Sequence, residues 1–302
     1  SSFRLVILRN TYLQFTNFIV MDILKKFSLK DKTAIITGGT GLLGSVYTHS
    51  LLSLGASVII IDKKIDKTKF IKNLVKEYNL TKEIINKIKF VKCDITNKKQ
   101  IDKSFKKIRS NLKNLKVLIN NASLVKQVGN DDLRDTYKPF LQMKQKDWED
   151  FFSVDLTGTL LVTQKCIPFL RKNGGGSIIN ISSTYGILSP DQRIYESLSP
   201  KNSKQKIEKP IGYSISKSGV LNMTRFLATK FAEDKIRVNT LTLGGVYDNN
   251  PKTFVKSYSN KTPLRRMADK NEYAGPIIFL ATDASSYMTG SNLVVDGGWS
   301  TW

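Results

Sequence analysis

The 302 residues carry 48 Lys and Arg against 25 Asp and Glu, a formal charge of +23, with 40% hydrophobic residues. That length suits one full sheet with its helices and is too short for a large second domain, and no apolar run reaches transmembrane length. The lysines are spread through nearly every segment and no nucleic-acid module is recognisable, so neither nucleic acid nor a membrane is expected as a partner; a positive field can still draw an anionic substrate toward a cleft.

Residues 1–20 precede a plausible initiator, Met21, and carry Arg4 and Arg9 but no acid. Lacking a continuous apolar core and a small-residue cleavage site, they read as an upstream translated extension or a poorly ordered tail, and the folded unit as 21–302. Thr33 to Thr37 (TAIIT) reads as a short buried strand, followed by Gly38-Gly39-Thr40-Gly41-Leu42-Leu43-Gly44 and a helical pattern through Leu54. In a strand, glycine turn and helix, glycines allow a tight turn and close approach to a pyrophosphate, and the helix N-terminus offers its N–H groups to phosphate. The next strand, Ser57 to Ile61, ends in Asp62, roughly twenty residues past the turn, where a dinucleotide fold places the acid that meets the adenosine ribose hydroxyls. Further strand-like runs at Lys89 to Lys92, Lys116 to Ile119, Ser177 to Ile181, Arg237 to Leu241 and Leu293 to Val295 alternate with helical stretches, which argues for a parallel α/β sheet. His49, the only histidine, falls in the first of these helices without a His or Cys partner, and Asp131, Asp132 and Asp135 read as a solvated loop, so no metal site is expected. Cys93 and Cys166 read as buried fillers, which excludes a disulfide framework and points to a reducing cytoplasm.

Tyr213-Ser214-Ile215-Ser216-Lys217 sets a phenol and an ammonium on one helix face. A positive charge beside a tyrosine stabilises its phenolate and makes it an acid/base near neutral pH, although the same spacing also arises in exposed amphipathic helices. The company of the pair decides between these. TGGTGLLG, Asp94 in CDIT, Asn120-Asn121-Ala122, Ser183 in NISS, Tyr213/Lys217 and the closing VDGGW occur in one order. In that order the chain, from about Lys32 to its C-terminus, resembles the short-chain dehydrogenase/reductase superfamily.

The resemblance implies a single Rossmann-type domain, a doubly wound parallel α/β sheet. It implies Tyr213 as the acid/base, Lys217 as its charge partner and ribose ligand, Ser183 as the group that holds the substrate oxygen, and Asp155 at a position usually filled by Asn. The cofactor set is then Gly38, Thr40, Gly41, Leu42, Leu43, Gly44, Asp62, Asp94 at the adenine with Ile95, Asn120 and Ala122 at the end of the fourth strand, Tyr213, Lys217, Gly244 and Val246. NAD is expected from Asp62, whose carboxylate repels a 2'-phosphate, with NADP open because Lys63 and Lys64 adjoin it. The partners implied are a small-molecule substrate and one or three further copies of the chain.

Three features depart from the family pattern: the TGxxGxxG spacing, Asp155, and Leu243-Gly244-Gly245 in place of Pro-Gly. In addition, Ser183 and Tyr213 stand farther apart than usual, which marks an insertion at about 188–210, polar and rich in Pro, Ser and Lys; it reads as a loop beside the site, carrying either specificity or nothing chemical. The surrounding motifs look most like flagellin-modification and surface-polysaccharide oxidoreductases. A hydride transfer on a sugar or nucleotide sugar is therefore expected, with a 3-oxoacyl-thioester reductase or a non-catalytic NAD sensor as alternatives. Along the Tyr213 helix, Val220, Met223, Leu227 and Phe231 fit either core or interface, and Trp299 and Trp302 cover either a partner or the substrate mouth.

Overall fold

The computed structural model describes residues 22–124, 136–199 and 206–302. The 1–20 segment, the acids Asp131, Asp132 and Asp135, and positions 200–205 of the insertion lie outside them. Seven strands, β1 Thr33–Thr37, β2 Ser57–Asp62, β3 Ile88–Lys92, β4 Leu115–Asn120, β5 Gly176–Ser183, β6 Ile236–Leu243 and β7 Asn292–Val295, form one parallel sheet in the order β3-β2-β1-β4-β5-β6-β7. Each coincides with a sequence-expected strand to within a few residues at its ends.

The main helices are α1 Leu42–Ser53, α2 Lys67–Tyr78, α3 Lys98–Lys107, α4 Gln145–Phe152, α5 Thr159–Lys172, α6 Ile211–Lys230, α7 Lys252–Lys261 and α8 Ala274–Ala281. Strand alternation assigns their places, because successive side chains point to opposite faces. Ala34, Ile36, Val58, Ile60, Val117 and Ile119 form one core with Val46 and Leu51 of α1 and Ile277 and Leu280 of α8. Ile35, Ile59, Ile61, Leu118 and Ile178 form the other with Phe105 of α3, Val162, Cys166 and Leu170 of α5, and Leu227 of α6. Both cysteines are free and buried in this second core. Of the α6 stripe, Val220 and Leu227 are buried and Met223 and Phe231 pack on the core, so this face is interior.

The strand order reverses between β1 and β4, where the chain leaves neighbouring carboxyl ends in opposite directions and opens a crevice. Beneath it, register partners Asn120 and Asn180 join across β4 and β5. Asn120 Nδ2 donates to Asn180 Oδ1 at 2.8 Å and lies 3.1 Å from Thr163 Oγ1, and Asn180 Nδ2 donates to Thr224 Oγ1 at 2.9 Å. This buried network engages the amide nitrogen of Asn120.

The described part of the insertion is not the open loop its polarity suggests. Gln192–Leu198 winds into a 3-10 helix whose Ile194 and Tyr195 are buried with Ile207, Phe254 and Tyr258 of α7, Met267 and Trp299 in a third cluster. Asp191 starts the helix by accepting from Arg193 N at 3.0 Å, and it ties it to α7 through an ion pair with Lys261. Two charge contacts and a backbone bond hold that carboxyl well below its usual range. Among the described residues, Ile194, Tyr195 and Ile207, with Leu198 packed against them, anchor the segment without a period, so sequence pattern alone did not reveal them.

Asn180→Ala strands the partners of a buried amide and is expected to cost roughly 2–3 kcal/mol, read in urea as a lower midpoint at unchanged slope.

Candidate functional site

At the carboxyl ends of the strands lies a cavity of about 640 Å³. Of the residues expected in the site, Gly38, Thr40, Gly41, Leu42, Leu43, Asp62, Asp94, Ile95, Ala122, Ser183, Tyr213, Lys217, Gly244 and Val246 line it. Gly44, Asn120 and Asp155 stand behind its wall; Asn121 faces the cavity where Asn120 was expected.

One end is built from backbone. Gly38 has φ +63°, and a Cβ there would lie 2.8 Å from Ala122 Cα; one on Gly44 would lie 2.6 Å from Gly39 Cα. These glycines let α1 start hard against β1 and β4. Asn121 Nδ2 donates to the carbonyls of Thr37 and Gly38 at 3.1 and 3.0 Å and fixes the turn to β4. Whereas Asp66 and Asn97 cap α2 and α3 through their side chains, α1 begins at Gly41 with no side-chain cap and no acid in its first turn. Its first N–H groups are thus left for an anion on the cavity side. Asp62 accepts from Thr40 Oγ1 at 2.6 Å and Thr40 N at 3.1 Å, so its carboxylate is held at the rim of the glycine turn. Asp94 is engaged by Thr96 Oγ1 at 2.7 Å and by Lys63 Nζ at 2.9 Å, contacts that together carry its carboxyl below the usual range despite partial burial. The uncapped helix, the glycine cradle and the acid at the end of β2 together fit a dinucleotide.

The other end carries the titratable groups. β5 delivers Ser183, and α6 brings Tyr213 to the same end of the cavity, where the Ser183 hydroxyl favours its phenolate. One turn on, Lys217 is buried, donates to Ile181 O at 3.0 Å, and lies 5.9 Å from the Tyr213 ring centre. Between α4 and α5 a π-helical turn, Ser153–Gly158, carries Asp155, in a geometry that often marks functional positions. Asp155 Oδ2 accepts from Ser216 at 2.7 Å; Oδ1 lies 3.7 Å from Lys217 Nζ. The Gly244-Gly245 pair, which replaces the family's Pro-Gly, answers to close contacts: a Cβ on Gly244 would lie 2.7 Å from Asp296 Cα, and Gly245 N donates to Tyr258 Oη at 2.5 Å.

Sequence reasoning missed the remaining wall. Tyr137, Tyr185, Tyr195, Phe254, Tyr258 and Lys209 also line the cavity. Lys209 is buried, donates to Tyr137 Oη at 3.0 Å and lies 4.0 Å from the Tyr213 ring centre. Trp299, buried and stacked on Tyr258 at 4.2 Å, supports the wall from behind, whereas Trp302 is exposed. Desolvation among these rings pushes the phenols of Tyr185 and Tyr195 up and out of reach of ordinary titration. Tyr213 is also raised by desolvation, but Lys209 and the Ser183 hydrogen bond oppose the rise.

Residues 43–300 match the family model described as enoyl-(acyl carrier protein) reductase. A ribulose-forming D-arabinitol 2-dehydrogenase of Candida tropicalis is 30% identical over 93% of this chain and 96% of its own length. The 3-oxoacyl-[acyl-carrier-protein] reductase FabG of Thermotoga maritima is 31% identical, covering 89% and 98%, and the post-translational flagellin modification protein A of Campylobacter coli is 26% identical, covering 90% and 99%. Among solved structures, a short-chain dehydrogenase of Leptospira borgpetersenii with bound NAD+ superposes with a TM-score of 0.75 at 31% identity, over 90% of this chain and 94% of that one.

Gly38→Ala, with its left-handed φ and crowded Cβ, is expected to weaken NADH binding by at least about tenfold in a fluorescence titration. Gly275→Ala, where a Cβ meets nothing within 4 Å, should leave it unchanged.

Proposed function

The chain belongs to the short-chain dehydrogenase/reductase superfamily and is an oxidoreductase, and from that premise we propose that its substrate is a polyhydroxylated, sugar-like secondary alcohol or ketone of surface-glycan assembly. The observation that carries this reading is the aromatic wall of the cavity that Ser183 lines. Tyr137, Tyr185, Tyr195, Phe254 and Tyr258 line the cavity with aromatic side chains, surfaces that suit the C–H faces of a sugar. The arabinitol dehydrogenase and flagellin-modification relatives support it.

A bound nicotinamide supplies or accepts the hydride. Within this chain, Ser183 holds the substrate oxygen and Tyr213 passes a proton to it during reduction and recovers one during oxidation. The phenolate left behind is the state that nearby positive charge must stabilise. Asp62 favours NAD over NADP, since its fixed carboxylate opposes a 2'-phosphate while Lys63 is drawn toward Asp94.

The FabG relative favours a second reading, reduction of a 3-oxoacyl thioester. Among the described residues no helix is long and apolar enough to cross a membrane, and two free buried cysteines accord with a reducing cytoplasm. Ile211, Ile215 and Phe226 on α6 and Leu160 on α5 are exposed apolar residues, which we assign to a homodimer or homotetramer contact.

NADH-linked rates on ketoses and nucleotide-activated sugars, against 3-oxoacyl thioesters, separate the two readings: turnover confined to thioesters overturns the first. Tyr213→Phe is expected to lower kcat by at least about 100-fold with NADH affinity within a few fold; equal activity would remove Tyr213 from the chemistry. NADH is expected to bind more tightly than NADPH, and the reverse order would refute the role given to Asp62. Light scattering of Phe226→Asp is expected to show monomers in place of the parent oligomer.

A further inference from the structure

Two lysines, not one, approach Tyr213, and their surroundings differ. Lys217 shares its buried site with Asp155, whose carboxylate lies 3.7 Å away. An opposite charge this close, away from water, offsets part of what Lys217 presents to a third group. Lys209 arrives from the end of the insertion and, among the described residues, has no carboxylate within ion-pair distance. Its partners are rings: its Nζ lies 4.0 Å from the Tyr213 ring centre, 5.0 Å from that of Tyr137 and 5.9 Å from that of Tyr185. We propose that Lys209 adds a second positive charge to the acid/base centre beside Lys217, whose charge Asp155 partly offsets, and that it acts through Tyr213 as a positioning residue for the phenolate.

The location of Lys209 is fixed from both ends. Gln192 clamps its backbone, accepting from Lys209 N at 2.8 Å and donating to Lys209 O at 3.1 Å, while its side chain donates to Tyr137 Oη at 3.0 Å. Burying an ammonium in an aromatic cage is costly unless its charge is used. A phenolate spreads its negative charge into the ring, so a cation over the ring face favours it over the neutral phenol. Lys209 is nearer that ring than Lys217 is, at 4.0 against 5.9 Å.

The other ionisable groups facing Tyr213 do not substitute for it. Asp155 opposes the phenolate, and the phenols of Tyr137, Tyr185 and Tyr258 carry no positive charge. The remaining charged lining residues, Asp62, Lys63, Lys64 and Asp94, belong to the ends of β2 and β3, and Asp248 follows β6. The directions of the titrations agree. Burial lowers Lys209 and raises Tyr213, while each favours the charged state of the other.

The inference rests on Tyr213 being the acid/base, so its test reads the phenol itself and needs no turnover. Protein labelled with [ζ-13C]tyrosine is titrated without cofactor, and Tyr213 is identified among the 11 tyrosines by the resonance lost in Tyr213→Phe. Lys209→Met is expected to raise the Tyr213 midpoint by at least about one pH unit, Asp155→Asn to lower it by a similar amount, and the double variant to return it near the parent. A Tyr213 midpoint unmoved in a Lys209→Met protein of parental circular dichroism would overturn the proposal. Should Lys209→Met not fold, Lys209→Gln is titrated in its place: a rise in the Tyr213 midpoint supports the proposal, and no rise refutes it. Absence of turnover on every substrate, with these shifts present, would instead count against the proposed reaction.

Discussion

A phenol that must release its proton among other aromatic rings sets the terms for the rest of this structure. Desolvation alone raises Tyr213 above its ordinary value, and the fold surrounds it with the few groups able to oppose that rise. β5 presents the hydroxyl of Ser183, the first turns of α6 carry Tyr213 and Lys217 on one face, and the insertion returns Lys209 over the ring. The phenols of Tyr185 and Tyr195 sit in the same apolar surroundings, and both are pushed beyond ordinary titration. Tyr213 differs from them by its cation and its serine, so charge placement distinguishes the acid/base from its neighbours.

The dinucleotide end obeys a different constraint, the need for backbone to approach a phosphate closely. Packing of Gly38 against Ala122, and of Gly44 against Gly39, leaves no room for side chains and brings the uncapped start of α1 to the cavity. The Thr40 to Asp62 bond fastens that turn to β2. The same two strands that carry the core therefore position the anion site and the ribose acid, and hydrophobic burial on both sheet faces keeps them rigid.

The sheet was legible in the sequence because its strands are short β-branched runs between helices, and β1 begins and ends where its residues suggest. The glycine turn, Asp62, Ser183, Tyr213 and Lys217 were legible because each is local or helical in its spacing. The aromatic wall was not. Tyr137, Tyr185, Tyr195 and Tyr258 come from separate segments that only the fold brings together, and Lys209 ends a stretch whose polarity and Pro residues read as solvated loop. Asn120 illustrates another limit. Strand position alone could not say which of two adjacent asparagines faces the cavity, and the register with Asn180 turns Asn120 inward.

The most direct test of the account is the fate of deuterium carried at C4 of NADH when a ketose is offered to the enzyme, with mass spectrometry of the product. The account predicts that one deuterium appears on the new carbinol carbon, from one face of the nicotinamide only, and that the rate falls when the transferred position is labelled. If NADH binds but the label stays on the nicotinamide with ketoses, nucleotide-activated sugars and 3-oxoacyl thioesters alike, the cavity is not a hydride-transfer site and the account is contradicted.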